Sequence, residues 1–195
     1  MSELREDIAN ALMATLRLFD PRTADHGLAV STLAERLAVS MNLDDDTVEQ
    51  CRLGALLHDI GLIRCDSFIL QSVDQLSDLE AAIIGEHPGQ SGELLARIPA
   101  LADLSPIVRA HHERIDGSGY PDALAGEEIP LEARIISVAD AFHAMTAVST
   151  YRNTLSPMSA VAELVGNSGT QFDSRTVDTL CELLGATRRR HLRTA

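Results

Sequence analysis

Hydrophobic residues recur at helical spacing along almost the whole chain. Residues 4–18, for example, carry Ile8, Leu12, Leu16 and Leu18 at intervals that place them near one face of a helix. No sustained alternation of apolar and polar residues, the pattern typical of half-buried strands, interrupts this spacing. The pattern therefore predicts an all-α domain.

Caps and helix breakers divide the chain into successive helices. Pro21 separates the first helix from a second one, which we expect over about 23–39 with Leu28, Leu33 and Leu37 facing inward. The segments that we expect to be helical after it are about 46–61, 77–99 and 101–113, followed by helices that begin near 131, 156 and 173.

One long segment between these helices is rich in turn-forming residues. Residues 116–130 contain three glycines and two prolines, which predicts an ordered loop rather than a helix. Loops of this length inside compact domains are usually functional. We therefore expect this loop to belong to the working part of the protein.

The length of 195 residues is sufficient for one domain with a single core. We expect an N-terminal helix at 1–20, a helical bundle at 21–187 and a basic tail at 188–195. No apolar run approaches the roughly 20 residues of a membrane span, and the N-terminus does not look like a signal peptide. These features predict a cytoplasmic protein that does not interact with a membrane.

The charge of the chain narrows the classes of partner. The formal net charge is −13, and the chain has no lysine, so every cationic side chain other than histidine is an arginine. Polymeric nucleic acids need a basic surface, and this chain does not supply one. Three widely spaced cysteines without a CxxC motif are typical of a reducing compartment.

Histidine and aspartate residues are the strongest chemical signal in the chain. A single histidine in an apolar helix is more often a core residue than a ligand, but here several recur together with carboxylates. The set of candidate metal ligands is His26, His58, Asp59, His87, His111, His112 and Asp140. Imidazole and carboxylate ligands without cysteine favour ions that bind water and phosphate. The set predicts a hydrolase.

The adjacent pair His58-Asp59 suits a centre with two metal ions. Its carboxylate can bridge both ions while the imidazole binds one of them. In such a centre a water molecule between the ions is the nucleophile. We therefore expect His58 and Asp59 to be the catalytic residues.

The order of these motifs resembles the HD-GYP family of the HD phosphohydrolase superfamily. The resemblance extends over roughly residues 20–185, and its motifs are Leu56-Leu57-His58-Asp59-Ile60-Gly61, Glu86-His87-Pro88, His111-His112-Glu113-Arg114, Asp116-Gly117-Ser118-Gly119-Tyr120-Pro121, Ile136-Ser137-Val138-Ala139-Asp140-Ala141-Phe142, Gly126-Glu127-Glu128-Ile129-Pro130 and Gly169-Thr170-Gln171-Phe172-Asp173. The residues Asp116, Gly117, Gly119, Tyr120 and Pro121 belong to the loop at 116–130, which we call the GYP loop.

The resemblance implies an all-helical metal-dependent phosphodiesterase. Family members hydrolyse cyclic di-GMP to linear pGpG, with GMP as a further product, at centres of two or three ions that commonly contain iron or manganese. When the family's ligand positions are carried over to this sequence, the resemblance implies two ions. One is held by His26, His58, Asp59 and Asp140, and the other by Asp59, His87, His111 and His112. The GYP loop is implied either to brace the centre or to recognise a partner, such as a GGDEF-type signalling protein.

The sequence departs from the family pattern at four places, which comprise five residues. Leu62 stands in place of a lysine, Arg22 in place of a third-metal glutamate, Ser149-Thr150 in place of Arg-Pro, and His143 in place of an aspartate. Arg22 favours two ions over three. The missing cations at Leu62 and Ser149 predict weak substrate binding, unless arginines compensate for them.

Three alternatives remain open on the sequence. The first is turnover of cyclic di-GMP, with Tyr120, Arg152 and Arg114 as the expected substrate contacts. The second is a catalytically weak, metal-bound module that senses the nucleotide or docks onto a signalling partner. The third is hydrolysis of a different phosphoester, which the GYP loop disfavours.

Overall fold

A computed structural model describes residues 2–70, 77–147 and 154–186. Within these ranges the chain forms helices and no β-strand, which confirms the predicted all-α class. The α-helices are α1 (Ser2–Phe19), α2 (Pro21–Ser40), α3 (Asp45–Leu57), α4 (Ser67–Leu70), α5 (Asp78–Gly85), α6 (His87–Ala96), α7 (Ser105–Arg109), α8 (Leu131–Thr146), α9 (Pro157–Gly166) and α10 (Ser174–Leu183). Short 3-10 helices span Ile60–Arg64, Ala102–Leu104 and Gly126–Glu128.

Helix α2 lies at the centre of the bundle and packs against α1, α3 and α8. Small residues dominate its buried face, which consists of Ala24, Gly27, Val30, Ser31, Ala34, Leu37 and Ala38. A Cβ atom at Gly27 would lie 2.8 Å from the carbonyl oxygen of Leu56, so the approach of α2 to α3 requires glycine there. This close approach brings His26 next to the end of α3.

The inward orientation predicted for Leu28 is wrong. Its side chain is 54% exposed, whereas Leu37 is fully buried and Leu33 is partly buried. The spacing of the leucines suggested that they form the buried face of α2. In the structure the small residues of α2 make the close contact with α3, so the buried face of the helix is turned away from Leu28. Leu18 in α1 is likewise 90% exposed.

Side-chain caps fix where the helices begin. The carboxylate of Asp20 accepts a hydrogen bond from the backbone N–H of Arg22, and Pro21 occupies the first turn, so α2 begins at Pro21. A capping box of Ser77 and Glu80 is present at the start of α5. Similar side-chain caps at Asp44, Ser156 and Asp173 begin α3, α9 and α10.

Two predicted helices are divided in the structure. The helix expected over 77–99 ends at Gly85, and α6 begins at His87, because Pro88 has no N–H to continue the preceding turn. The helix expected over 101–113 is a 3-10 turn followed by the short α7. Both breaks put histidines at helix ends, where their rings can turn toward a common centre.

None of the described helices is long and apolar enough to cross a membrane. The basic tail at 188–195 and the stretch containing Ser149, Thr150 and Arg152 lie outside the described residues.

Candidate metal centre

The structure brings all seven predicted ligands together at one end of α2. His26 comes from α2, His58 and Asp59 follow α3, His87 begins α6, His111 and His112 follow α7, and Asp140 lies in α8. Their ligand atoms form three overlapping groups, each within 4.8 Å: His26, His58 and Asp140; His58, Asp59 and His111; and His87, His111 and His112. The first and third groups share no residue, and the second connects them.

The carboxylate of Asp59 lies between the two outer groups. Its Oδ2 atom is 3.3 Å from Nε2 of His58 and 3.8 Å from Nε2 of His26. Its Oδ1 atom is 3.1 Å from Nε2 of His87. One carboxylate therefore faces histidines of both groups with different oxygens, which is the arrangement of a bridging ligand.

Three of the histidines are oriented by the same type of local hydrogen bond. The Nδ1 atoms of His58, His87 and His111 lie 2.7, 2.7 and 2.6 Å from the carbonyl oxygen three residues earlier, at Ala55, Ile84 and Val108 respectively. Those carbonyls belong to the last turns of α3, α5 and α7, where helical hydrogen bonding leaves acceptors without a partner. The helix ends thus supply the acceptors that orient the rings.

The hydrogen bond from Nδ1 to the backbone determines which ring nitrogen faces the centre. A carbonyl oxygen can only accept, so each Nδ1 carries the proton, and in the neutral ring Nε2 presents a lone pair. The Nε2 atoms of His87 and His111 are 3.2 Å apart. Lone pairs facing each other at this distance are stabilised by a shared cation, and backbone acceptors behind the rings are typical of metal-bound histidines.

Burial and the neighbouring charges together shift the pKa values of the side chains in the centre. Burial opposes ionisation of Asp59, but His58 and His87 outweigh this effect and hold its pKa well below the usual range. Burial alone would lower the pKa of His58, but the carboxylates of Asp59 and Asp140 raise it to about 9. Burial lowers the pKa of His112 to about 4 and that of His111 well below its ordinary value.

A serine joins the segments that carry His58 and His87. The hydroxyl of Ser91 in α6 donates to the carbonyl oxygen of His58 at 2.7 Å and accepts from the N–H of Gly61 at 2.9 Å. A Cβ atom at Gly61 would lie 2.5 Å from the carbonyl oxygen of His87, so only glycine fits this turn. The turn after Asp59 is therefore fixed directly against the start of α6.

The GYP loop folds back on the segment that carries the paired histidines. Gly117 adopts a positive φ of 77°, and a side chain at Gly119 would overlap the backbone of Glu113. The buried carboxylate of Glu113 accepts from the N–H groups of Asp122 at 2.7 Å and Leu124 at 3.1 Å. Glu113, which directly follows His112, thus anchors the loop to the metal centre.

Two further sets of contacts hold the loop from outside. Arg109 forms a bidentate ion pair with Asp122, with N–O distances of 2.6 and 2.7 Å. On the other side, the N–H of Ile115 donates to the carbonyl of Gln171 at 3.3 Å, and that of Asp116 to Thr170 at 2.8 Å. The second pair fastens the loop to the turn between α9 and α10.

Tyr120 lies over the edge of the centre. Its ring centroid is 5.1 Å from that of His112 with an interplanar angle of 32°, and the residue is 42% exposed. Burial, together with the carboxylates of Asp59 and Asp140, raises the pKa of its hydroxyl to about 12. The side chain therefore stays neutral, with one part packed on His112 and another part open to solvent.

The other residues that we expected to affect substrate binding make contacts elsewhere or lie outside the described residues. Arg114 is held within the GYP loop, where it donates to Ser118 at 2.9 Å and pairs with Asp116. Leu62 is buried, with 8% exposure, in the 3-10 helix after Asp59. Arg152 lies outside the described residues, so its predicted substrate contact remains an expectation.

Sequence reasoning missed the structural roles of Ser91, Glu113 and the carbonyl acceptors. Glu113 was part of a recognised motif, but its two backbone partners lie nine and eleven residues away and follow only from the course of the loop. Nothing in the sequence marked Ser91. His143 departs from the family pattern, and the structure places it against His26.

Comparisons with known proteins agree with this geometry. The chain matches the family model described as HD domain over residues 7–176. It is 34% identical to the cyclic di-GMP phosphodiesterase response regulator RpfG of Xanthomonas campestris over 184 residues, which is 92% of this chain and 48% of that protein. It is 32% identical to 3'3'-cGAMP-specific phosphodiesterase 2 of Vibrio cholerae over 182 residues, which is 92% of this chain and 34% of that protein.

A solved structure shares the fold. An HD-GYP-type protein from Bdellovibrio bacteriovorus, Bd1817, superposes with a TM-score of 0.70 at 21% identity and covers 94% of this chain and 62% of that one. The present chain spans less than half the length of the two relatives named above. On the family match and the ordered motifs in the site, the chain belongs to the HD domain family, as a member of its HD-GYP group.

Proposed function

We propose that the protein is a metal-dependent phosphodiesterase that hydrolyses cyclic di-GMP to linear pGpG and, where a second cleavage follows, GMP. The observation that carries this proposal is the position of Asp59, whose two oxygens face histidines of both ligand groups. Two divalent ions, iron or manganese, fit these ligands: one with His26, His58, Asp59 and Asp140, and one with Asp59, His87, His111 and His112.

Each part of the site has a distinct task in this proposal. When bound, two divalent ions supply Lewis-acid polarisation of a phosphoryl oxygen and acidify a water molecule. Asp59 and Asp140 contribute only two negative charges, so the loaded centre has a net positive charge that attracts a phosphodiester anion. His58 and His111, oriented by the carbonyl oxygens of Ala55 and Val108, hold their Nε2 atoms toward the ions.

The GYP loop bounds the substrate side of the centre in this proposal. The exposed part of Tyr120 next to His112 offers a flat surface on which a guanine base can stack. Arg114, which is ordered by Asp116 and Ser118, and Arg152 are the candidate cationic contacts to the substrate. Docking of a GGDEF-type partner on this loop, and action in the cytoplasm, are further parts of the proposal.

A second candidate function is a metal-bound module that binds the nucleotide without efficient turnover. The buried leucine at position 62 favours it, because an apolar side chain there gives no charge-assisted contact to phosphate. Such a contact is typically worth about 1.5–3 kcal/mol. The missing contact would reduce affinity or rate rather than metal binding.

Metal analysis combined with turnover distinguishes these functions. Protein purified anaerobically with iron or manganese is expected to hold close to two ions per chain and to convert cyclic di-GMP to pGpG. 3'3'-cGAMP serves as the comparison substrate, since relatives of both specificities match the chain. Two bound ions and nucleotide binding without product would support the module, and fewer than two ions at saturation would contradict both functions.

A further inference from the structure

His26 differs from the other oriented histidines in what lies behind its ring. The rings of His58, His87 and His111 use backbone carbonyls, but the Nδ1 atom of His26 lies 2.8 Å from the Nδ1 atom of His143. The two ring centroids are 4.9 Å apart with an interplanar angle of 48°. A side chain therefore takes the place that the backbone takes elsewhere.

Helix α8 contacts both nitrogens of the His26 ring. Asp140 and His143 are three residues apart and so share one face of the helix. Asp140 places Oδ1 3.0 Å from Nε2 of His26, and His143 places its Nδ1 against the opposite nitrogen. The orientation of His26 is thus set by two consecutive contacts from a single helix.

The short distance requires one proton between the two Nδ1 atoms. Two lone pairs at 2.8 Å would repel, and two N–H groups would collide. If Nε2 of His26 is to bind an ion beside Asp140, it must present a lone pair, so the proton of His26 is on Nδ1. His143 must then accept this hydrogen bond and carry its own proton on Nε2.

We propose that His143 is a positioning residue for the ion held by His26, His58 and Asp140. By accepting the Nδ1–H of His26, it fixes the tautomer and ring plane of a ligand that has a side chain, rather than a backbone carbonyl, behind its ring. The inference rests on the proposed metal centre but not on any particular substrate. An acceptor behind a metal-bound histidine typically changes metal affinity by 10–100-fold.

Substitutions at His143 separate acceptance of a hydrogen bond from simple packing. His143→Phe keeps an aromatic ring but removes the acceptor, whereas His143→Asp and His143→Asn supply oxygen acceptors. His143 is only partly buried at the end of α8, so these variants retain the fold, which circular dichroism checks. His87→Ala is the control for the other ion, because His87 belongs to the opposite ligand group.

The test is a cobalt(II) titration of metal-free protein, which needs no substrate. We expect His143→Phe to weaken one of the two cobalt sites by about 10–100-fold and to leave the other unchanged. His143→Asp and His143→Asn should restore most of that affinity. In proton NMR of the cobalt protein, His143→Phe should also remove one hyperfine-shifted exchangeable ring N–H signal, that of His26.

Several outcomes would overturn the proposal. These are unchanged affinity of both sites in His143→Phe, equal weakening of both sites, or an aspartate variant as weak as the phenylalanine variant. Failure of the wild-type protein to bind two cobalt ions would overturn the proposed metal centre itself and this inference with it. Two intact sites without phosphodiesterase activity would contradict only the proposed function.

Discussion

Asp59 differs from the histidines around it because its carboxylate faces both ligand groups. One oxygen lies near His58 and His26, and the other near His87. Each histidine, by contrast, offers a single Nε2 lone pair, because its Nδ1 is engaged with a neighbouring acceptor. Substitution of the carboxylate and substitution of a terminal histidine should therefore have different consequences.

We expect Asp59→Ala to lose both ions together and His87→Ala to weaken mainly the ion held with His111 and His112. Elemental analysis after dialysis against buffer with a fixed concentration of manganese measures this directly. Turnover should vanish in both variants, so activity alone does not separate them. Wild-type metal content in the Asp59 variant would contradict the bridging role.

Leu62→Lys should raise kcat/KM and lower stability at the same time. A regained charge-assisted contact of about 1.5 kcal/mol corresponds to about tenfold in kcat/KM. The side chain at this position is 8% exposed, so an ammonium group there loses hydration and the melting temperature should fall. Leu62→Met, which conserves volume, is the control that changes neither quantity, and an unchanged kcat/KM in the lysine variant would show that other groups already hold the phosphates.

At the scale of elements, helix ends build the centre. α3, α5 and α7 each end just before a ligand, and their last carbonyls orient the rings. Ser91 then fastens the turn after α3 to α6. The importance of the contacts that hold these helix ends in place can therefore be tested by removing them one at a time.

Ser91→Ala should destabilise the protein by about 1–3 kcal/mol. It leaves the buried carbonyl of His58 and N–H of Gly61 without their partner, and unsatisfied buried groups have this cost. Ser105→Ala is a matched control, since the Ser105 hydroxyl makes one bond to the carbonyl of Gly92 in a less buried place. Urea denaturation of both variants measures the difference, and equal losses would show that the double contact has no special role.

Glu113→Gln should release the GYP loop without loss of metal. The carboxylate accepts two backbone N–H groups, but an amide has only one oxygen, so one donor loses its partner. We expect kcat/KM for the cyclic dinucleotide to fall about tenfold, and hydrogen exchange over residues 116–125 to accelerate, at unchanged metal content. Glu128→Gln, whose exposed carboxylate accepts from Ala125, should leave both measurements near wild type.

The helix pattern and the ligand set could be predicted from the sequence because both depend on local information. Periodicity and caps placed α1, α2, α3, α8, α9 and α10 closely, and the ordered motifs identified every candidate ligand that the structure brings together. The breaks before His87 and His111 were not predicted, although Pro88 marks the first of them.

Contacts between distant segments could not be predicted in this way. The pairing of His26 with His143, the bonds of Ser91 and the outward position of Leu28 each depend on how α2, α3, α6 and α8 pack. A single sequence contains no signal for the rotation of a helix about its axis when small residues form the contact face.

For the whole molecule, stability and protonation are linked through the centre. Without metal, the folded-state pKa of His58 is raised to about 9 from 6.5, so its stabilising effect is complete below about pH 6.5 and is lost as the pH rises through about 9. His112, with its pKa lowered to about 4, acts in the opposite sense: the unfolded chain takes up a proton below about pH 6.5 that the folded one resists.

The free energy of unfolding of metal-free protein should therefore be largest near pH 6.5 and fall on both sides. Urea denaturation in a chelating buffer across this range measures it. With saturating manganese the alkaline fall should disappear, because ion binding needs neutral histidines and strengthens as protons leave. A flat profile for metal-free protein, or the same alkaline fall with metal, would contradict this coupling.

Through the contacts of the GYP loop, the turn between α9 and α10 is connected to the segments that carry the candidate ligands. Among the described residues, the candidate ligand groups come from the chain between α2 and α8, so bound ions tie those segments together and leave α9 and α10 outside that restraint. The loop is attached to both parts of the chain, through Glu113 on one side and through Thr170 and Gln171 on the other. Local opening of the two C-terminal helices would thus remove one anchor of the loop while the ions stay bound, so the loop can lose its order independently of the metal centre.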